Sequence, residues 1–313
     1  MKIQAYIPYV FNSQIKKWGI GICFLFFSQL ELHAEQKDSA WMQALNFSTD
    51  SSFTYKLSTH AFSVGGGGSY LYNTYFSPLH YKGWQADVVY EGYKEKSTKK
   101  SIDLAQQWFV HIYGGQVNPY NQTANALSLH LQAFWALYGK WKLLDPLHLH
   151  LGGLASFSAG GFYNARNGNN PAVIDVALDL QLSYMLTYYF KIKKQVFSLR
   201  HRLSIPLLGV TFAPPYGASY YEMFMVGLPP SDYIAFTFFH NTFKMQHQLS
   251  LDFYLPHAIL RLTYLEQSQW RTIHQIQQRN HFHSLQFGVV YNLINVSGSK
   301  AVKPANLPAD FYL

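Results

Sequence analysis

Two histidine pairs are the first residues in this sequence that could bind a metal ion. His148 and His150 lie two positions apart, and so do His281 and His283. Residues two apart on a strand share a face, so each pair could present two imidazoles together. Protein zinc sites use three or four protein ligands, and neither pair has an evident third. The sequence therefore predicts no metal and no cofactor.

A second group of ionisable residues could perform acid–base chemistry. Asp175 and Asp179 lie on one predicted strand, and Arg200 and Arg202 lie on the next. A short turn joins these strands, so we expect the acids and the arginines to be neighbours. Charges removed from bulk water need partners, which favours ion pairs that fill an interior over a catalytic pair. The predicted interior polar network comprises Asp175, Asp179, Arg200, Arg202, Asp252 and Arg261.

Hydrolysis of a lipid by a serine nucleophile would need a serine and a histidine side by side, with an acid or amide to orient the histidine. His283 and Ser284 are adjacent in the chain. Adjacent side chains on a strand point to opposite faces, so these two cannot form such a pair directly. The sequence predicts no catalytic residue.

The elements that would position these residues are strands. From Ile174 to Phe190 every second residue is apolar and those between are mostly polar, which is the period of a strand. Strands of soluble proteins usually have about 5–6 residues, whereas this pattern lasts much longer. Similar alternation predicts ten strands, at 53–61, 84–91, 108–113, 127–138, 147–152, 174–190, 197–207, 243–255, 260–265 and 284–293.

Long alternating strands with few charges predict a transmembrane β-barrel. Charged residues are 13% of the chain and aromatic residues 18%, whereas a soluble domain has about 25% charged residues. In lipid every backbone N–H and C=O must be paired within the protein, so a sheet can span the membrane only if it closes on itself. We expect an all-β, closed antiparallel barrel whose apolar side chains face lipid and whose polar side chains face the lumen. A soluble secreted β-sandwich that binds another molecule is the alternative for the fold.

The number of strands depends on residues 210–242. Tyr220–Leu228 and Tyr233–Phe239 are rich in apolar and aromatic residues and could form a further hairpin around Pro229 and Pro230. We therefore predict twelve strands, with ten as the alternative. Long links are also expected near 65–82 and near 272–280. In the first of these, Gly65–Gly68 would be flexible.

The start of the chain has the features of a secretory signal. Lys2, Lys16 and Lys17 precede an apolar run, and Ala34 is a plausible cleavage position. The predicted organisation is a signal peptide at 1–34, a periplasmic segment at 35–52, the barrel at 53–296 and a flexible tail at 297–313. The only cysteine, Cys23, falls in the predicted signal, so no disulfide is expected.

Aromatic residues are expected to form girdles at the membrane surfaces, where their amphipathic rings sit among lipid head groups. The net charge of +8 includes no block of lysine and arginine, so nucleic acid is not expected as a partner. Outer-membrane lipid and lipopolysaccharide are the expected partners, and no protein partner is predicted. The predicted girdle residues are Trp84, Trp135, Trp141, Tyr188, Phe190 and Trp270.

Tyr72–Gly83, "YNTYFSPLHYKG", carries a resemblance to a known family. It resembles the Asn-Thr-Tyr-Leu-Ser-Pro-Leu-x-Tyr-x-Gly segment of uncharacterised outer-membrane barrel proteins of Bacteroidota, with Phe76 in place of the leucine. The resemblance implies a barrel in a Gram-negative outer membrane and implies no activity. Ten strands would keep both termini in the periplasm. The expected function is a non-enzymatic channel, scaffold or envelope-assembly subunit. The alternative is a barrel enzyme that modifies lipid or lipopolysaccharide.

Overall fold

The computed structural model describes residues 54–96, 103–121, 124–164, 166, 171–255 and 258–297. The predicted signal peptide, the periplasmic segment and almost all of the predicted tail lie outside the described residues. Two helical turns, Glu222–Val226 and Pro230–Asp232, occur between the seventh and eighth strands. The strands are β1 Thr54–Asn73, β2 Ser77–Lys96, β3 Asp103–Pro119, β4 Ala126–Leu144, β5 Leu147–Tyr163, β6 Ala172–Ile192, β7 Gln195–Phe212, β8 Ile234–Phe238, β9 Thr242–Tyr254, β10 Ile259–Ile273 and β11 Ile276–Ser297.

The sheet closes into an antiparallel barrel, as the alternating sequence predicts. Each strand from β1 to β7 pairs with the next in the chain, and β1 pairs with β11 along its whole length. The first part of β7 pairs with β9, and its last five residues pair with the short strand β8. Ten strands therefore form the closed ring, and β8 adds a short segment at one edge of it.

The prediction of twelve strands is wrong, and the alternative of ten is confirmed. Tyr233–Phe239 does contain a strand, but Tyr220–Leu228 forms a helical turn that ends at Gly227 in the left-handed conformation. A strand there is also disfavoured by Pro229 and Pro230, which have no N–H to donate to a ladder. The soluble sandwich alternative is wrong as well, because the described strands form one closed sheet instead of two stacked sheets.

Two predicted long links are strands joined by tight turns. Thr74–Phe76 joins β1 to β2, and His274–Gln275 joins β10 to β11 with positive φ at both residues. The glycine run Gly65–Gly68, expected to be a flexible link, lies within β1. The neighbouring backbone approaches it so closely that a Cβ at Gly67 would lie 1.7 Å from the carbonyl oxygen of His283.

The barrel has a polar inside and an apolar outside. On β2, Gln85 and Glu91 face inward and are 0% and 3% exposed, whereas Trp84 and Val88 face outward and are 66% and 40% exposed. This is the reverse of a soluble protein, in which apolar side chains fill the interior. No helix among the described residues is both long and apolar enough to cross a membrane.

The two ends of the barrel differ in their connections. We call the end where β1 starts and β11 finishes the terminal end, and the opposite end the loop end. The loop end carries the connection 213–241, which includes β8, and the connection 164–171. The terminal end has two-residue turns at 145–146 and 193–194.

Candidate functional site: an occluded polar lumen

Glu91 on β2 is the centre of a hydrogen-bond network that crosses the lumen. Its Oε1 accepts hydrogen bonds from Arg200 Nη1 on β7 at 2.7 Å and from Gln107 Nε2 on β3 at 2.9 Å. Its Oε2 accepts from Gln248 Nε2 on β9 at 3.1 Å and from Arg261 Nη1 on β10 at 3.2 Å. One carboxylate therefore connects side chains from four other strands.

Asp252 on β9 completes this charge cluster. It accepts hydrogen bonds from Arg261 Nε at 2.6 Å and Nη2 at 2.8 Å, a two-point contact suited to a guanidinium. Arg200 Nη2 lies 3.6 Å from the same carboxylate. Two acids thus balance two arginines in a largely water-excluded interior, which is what buried charges require.

Arg202 is held by aromatic rings instead of carboxylates. Its guanidinium carbon lies 4.7 Å from the centre of the Phe109 ring and 4.4 Å from that of Phe134. The side chain is buried, and its three nitrogens have no hydrogen-bond partner among the described residues. The cation–π contact is the interaction that offsets the burial of this charge, and the three side chains block the lumen at this level.

A second set of ion pairs lies towards the loop end. Asp175 accepts hydrogen bonds from Arg271 Nη1 at 2.9 Å and Gln278 Nε2 at 2.6 Å. Lys244 Nζ donates to Asp179 Oδ2 at 2.6 Å. These partners come from β9, β10 and β11, near the end of the chain, whereas Asp175 and Asp179 lie on β6.

The expected neighbours in this network are not the observed ones. Asp179 lies opposite Gly209 of β7, whereas Arg200 lies opposite Thr187, eight residues farther along β6. At about 3.3 Å per residue, this separates the acid from the arginine by roughly 26 Å along the strand. The short turn makes β6 and β7 neighbours, but it places the acids and the arginines at different heights of the lumen.

Between these two sets lies a layer of amides and one acid. Asp87 accepts hydrogen bonds from Ser284 Oγ at 2.9 Å and from Gln286 Nε2, and it lies 3.2 Å from His111 Nε2. An interior cavity of about 80 Å³ includes His130, Asp175, Lys244 and Gln267 in its lining, and Gln267 Nε2 lies 3.4 Å from His111 Nδ1 of this layer. That volume suits a few water molecules and is far smaller than a typical ligand pocket of about 300–1,000 Å³.

The β1–β2 turn closes the loop end from inside. Tyr75 and Phe76 are buried in an apolar cluster that also contains residues of β3, β4, β5 and β6. The turn is fixed by Asn73, whose Oδ1 accepts a hydrogen bond from the Tyr75 N–H at 3.0 Å. Tyr75 Oη donates to the carbonyl oxygen of Ala218, which ties the turn to the 213–241 connection. Thus two residues of the segment on which the sequence resemblance rests, Tyr75 and Phe76, form a plug, whereas Ser77–Gly83 belongs to β2.

The predicted girdle residues all face outward, but they do not all lie at strand ends. Trp141, Trp270 and the Tyr188–Phe190 region lie close to the ends of β4, β10 and β6. Trp135 lies at the middle of β4, and Trp84 lies well inside β2. The strands continue farther than the sequence pattern indicates, so these two residues are not terminal.

The outer face carries a polar cluster of which the sequence pattern indicated only the His281–His283 pair. Ser268 Oγ on β10 lies 2.8 Å from His281 Nδ1 on β11, and Glu266 lies opposite His283 on the same two strands. His201 Nε2 on β7 and His247 Nδ1 on β9 lie 3.4 Å apart. The predicted strand ended at Leu265, which left Glu266 and Ser268 out of the alternating pattern. No set of three potential metal ligands occurs among the described residues.

A family model, "Protein of unknown function (DUF3316)", matches residues 20–300, which is most of the chain. The chain belongs to this family. The description of the DUF3316 family names no activity, so the site itself must carry any functional argument. No curated protein is significantly similar in sequence to this chain.

Among solved structures, the chain is similar to several barrels. The transport unit of the autotransporter AIDA-I from Escherichia coli has 9% identity and a TM-score of 0.42, over 83% of this chain and 97% of that one. The outer membrane protease OmpT from Escherichia coli has 9% identity and a TM-score of 0.40, over 77% and 98%. The translocator domain of the autotransporter NalP from Neisseria meningitidis has 11% identity and a TM-score of 0.37, over 80% and 93%. These similarities are too distant to assign to this DUF3316 member any activity of those proteins.

Proposed function

We propose that this protein is an outer-membrane β-barrel with an occluded lumen, which serves as a membrane-embedded scaffold or envelope-assembly subunit. It would be located in the outer membrane of a Gram-negative cell of the Bacteroidota type, with both termini in the periplasm. The apolar outer face of a closed sheet supports the membrane location, because only a closed sheet satisfies its backbone in lipid. The resemblance of Tyr72–Gly83 to barrel proteins of Bacteroidota supports the cell type.

The scaffold function rests on the contacts of Glu91. Hydrogen bonds from four other strands meet at this one buried carboxylate, and Arg202 with two phenylalanine rings fills the adjacent space. In a barrel of about ten strands, side chains can largely fill the interior. An open channel needs a continuous water-filled path, and these residues interrupt it. The function is therefore assigned to the exterior and the ends of the barrel.

Planar-bilayer recordings test the occluded lumen. The purified full chain, inserted in bilayers in 1 M KCl, is expected to give no stable single-channel steps. Folding of the same preparation is checked by heat-modifiable migration on a gel, so that an absence of conductance steps cannot result from unfolded protein. Regular ohmic steps from the unmodified, folded protein would overturn the scaffold proposal in favour of a channel.

Fractionation of cells tests the membrane location separately. The protein is expected in the outer-membrane fraction after a carbonate wash, and unboiled samples should migrate faster than boiled ones. Release of the protein by carbonate would contradict the membrane assignment, whatever the bilayer recordings give.

A second candidate function is lipid hydrolysis at the outer face, and the Ser268–His281 contact is the observation in its favour. A serine oxygen 2.8 Å from an imidazole nitrogen on a lipid-facing surface has the first two parts of a hydrolytic site. Two features weigh against it. Ser268 is only 5% exposed, and its strand is paired on both sides, so the nearby backbone N–H groups are committed to ladders instead of to an oxyanion.

Release of fatty acid from outer-membrane lipid decides between the two functions. An enzyme would lose this activity in Ser268→Ala and keep it in Ser284→Ala, which alters a serine that faces the lumen and binds Asp87. A scaffold would show no such release in the unmodified protein, and then both variants would equal it.

A further inference from the structure

The outer face near the loop end carries a patch of cations and aromatic rings. Lys82 on β2 and Arg279 on β11 both lie on the lipid-facing side and are exposed. Lys82 Nζ lies 4.6 Å from the centre of the Tyr120 ring, and the Arg279 guanidinium lies 5.9 Å from that of Tyr72. The ring of His80 stacks on Tyr72 at 4.4 Å. We call Lys82, Arg279, His80, Tyr72 and Tyr120 the basic–aromatic patch.

The two cations of this patch lack anionic partners. No ion pair of Lys82 or Arg279 occurs among the described residues, whereas the lumen pairs nearly all of its charges. Glu266 is an outward-facing carboxylate of this region, but it lies opposite His283, which is four residues along β11 from Arg279. A bare cation on the lipid face of a barrel is unfavourable unless it lies near the membrane surface or binds an anion.

The positions of the cations suit an anion with two separated charges. Lys82 lies opposite Tyr70 of β1, and Arg279 lies opposite Tyr72 of the same strand. Their Cα atoms are thus two strands and two residues apart, which is roughly 12 Å from the usual sheet dimensions. Tyrosine rings are enriched where a barrel meets lipid head groups, which places the patch at that depth.

We propose that the basic–aromatic patch binds the phosphorylated sugar head group of a glycolipid in the outer leaflet. A glycolipid with phosphate at both ends of its sugar head presents two anions at a separation of this order. Lys82 and Arg279 would each bind one phosphate, and the rings would pack against the sugar and the upper acyl chains. This inference rests on the proposed outer-membrane location, and it names the lipid that the scaffold would hold.

The test compares binding of one lipid with and without its phosphates. The folded full chain in detergent is mixed with bisphosphorylated lipid A, and bound lipid is counted by native mass spectrometry. The same lipid with both phosphates removed is the matched ligand. Hydrogen bonds between charged groups are stronger than those between neutral groups, so the removal of both phosphates is expected to weaken binding at least tenfold.

Protein variants locate the binding site on the surface. Lys82→Gln with Arg279→Gln is expected to weaken binding of the phosphorylated lipid at least tenfold. Lys94→Gln is the control, because Lys94 lies on the same strand and the same face as Lys82 but towards the terminal end. It should bind like the unmodified chain. All variants must remain heat-modifiable, so that a loss of binding is not a loss of fold.

Three outcomes would overturn the inference. Equal binding of the two lipids would show that phosphate is not recognised, and an undiminished affinity of the double variant would place the lipid elsewhere. Full displacement of the lipid by an equal concentration of inorganic phosphate would show a simple anion site. In each case the carbonate fractionation remains a separate measurement, so the outer-membrane proposal can stand while the glycolipid inference falls.

Discussion

At the scale of single residues, the buried charges of the lumen depend on one another. Glu91 accepts hydrogen bonds from Arg200 and Arg261, whose one further acidic partner in the described part of the chain is Asp252. Removal of one member of a buried ionic cluster leaves the others uncompensated, and this is far more costly than the loss of an exposed pair. The lumen charges should therefore dominate the response of stability to substitution.

Glu91→Ala tests this dependence. We expect the free energy of unfolding to fall by about 3–5 kcal/mol, measured by urea titration of tryptophan fluorescence in lipid vesicles. Glu95→Ala is the matched control on the same strand, since Glu95 pairs with Lys140 at a more exposed position. An exposed pair is worth about 0–1 kcal/mol. Equal losses in the two variants would contradict the central position of Glu91.

Tyr75 makes the loop-end plug sensitive to high pH. Burial raises the pKa of Tyr75 to about 12, and the nearby Tyr220 and Glu222 add to the effect. The unfolded chain would lose this proton near the ordinary value of about 10. The folded state thus holds the proton more tightly, so the stabilisation is fully present below about pH 10 and is lost as the pH rises towards 12.

The Tm of Tyr75→Phe shows whether this titration occurs. The unmodified protein should lose more Tm than this variant between pH 9 and pH 12, because phenylalanine has no proton to release. Tyr221→Phe, which alters an exposed tyrosine of the 213–241 connection, should behave like the unmodified chain. Parallel curves for all three proteins would show that the plug does not respond to Tyr75.

At the scale of elements, the alternating pattern is enough to find all ten strands of the ring and, in nine of them, the inward and outward faces. In β1 the side predicted to be apolar, which includes Ala61, faces the lumen, since Ala61 is 3% exposed and Phe62 is 50% exposed. The pattern cannot find the true ends of the strands. Gly65–Gly68 has no side chains to alternate, and the run from Glu266 to Trp270 has polar residues on both faces, so the pattern stops early in each strand. The pairing of Asp175 with Arg271 also depends on barrel closure and stagger, which no local pattern contains.

Gly67→Ala and Gly66→Ala test the close approach of β1 and β11 at the point of closure. A Cβ at Gly67 would lie 1.7 Å from a backbone oxygen of His283, and a backbone ladder cannot move away cheaply. The three atoms nearest to a Cβ at Gly66 all belong to the Trp84 side chain, which faces outward and can turn. The Gly67 variant should therefore lose heat-modifiable migration at a lower temperature than the Gly66 variant. Identical temperatures would show that this seam tolerates a side chain.

At the scale of the whole molecule, the described interior is divided into layers, and under the proposed scaffold function each of them opposes transport. The Tyr75–Phe76 plug lies at the loop end, an amide layer follows, and the Glu91 cluster with Arg202 fills the part beyond. Such a lumen stabilises the barrel by cross-linking its strands. The surfaces left to interact with other molecules are the outer face and the two ends, so the direction in which each end points decides which partners it can meet.

The lengths of the connections predict which end of the barrel faces the outside of the cell. Outer-membrane barrels have short periplasmic turns and longer extracellular loops. The turns at 145–146 and 193–194 lie at the terminal end, and the 213–241 connection lies at the loop end, where Tyr216 is 78% exposed. We therefore expect the loop end to face the outside of the cell, which also places the basic–aromatic patch in the outer leaflet.

Single cysteines at the two ends of the barrel report its orientation in the membrane of living cells. A membrane-impermeant maleimide should label Tyr216→Cys on intact cells, whereas Lys193→Cys, in the exposed β6–β7 turn, should be labelled only after the outer membrane is made permeable. The parent chain is the blank, because its one cysteine, Cys23, lies in the predicted signal. Labelling of Lys193→Cys but not of Tyr216→Cys on intact cells would reverse the orientation. The patch would then face the inner leaflet, where a glycolipid confined to the outer leaflet could not reach it, so this result would remove the basis for the glycolipid inference.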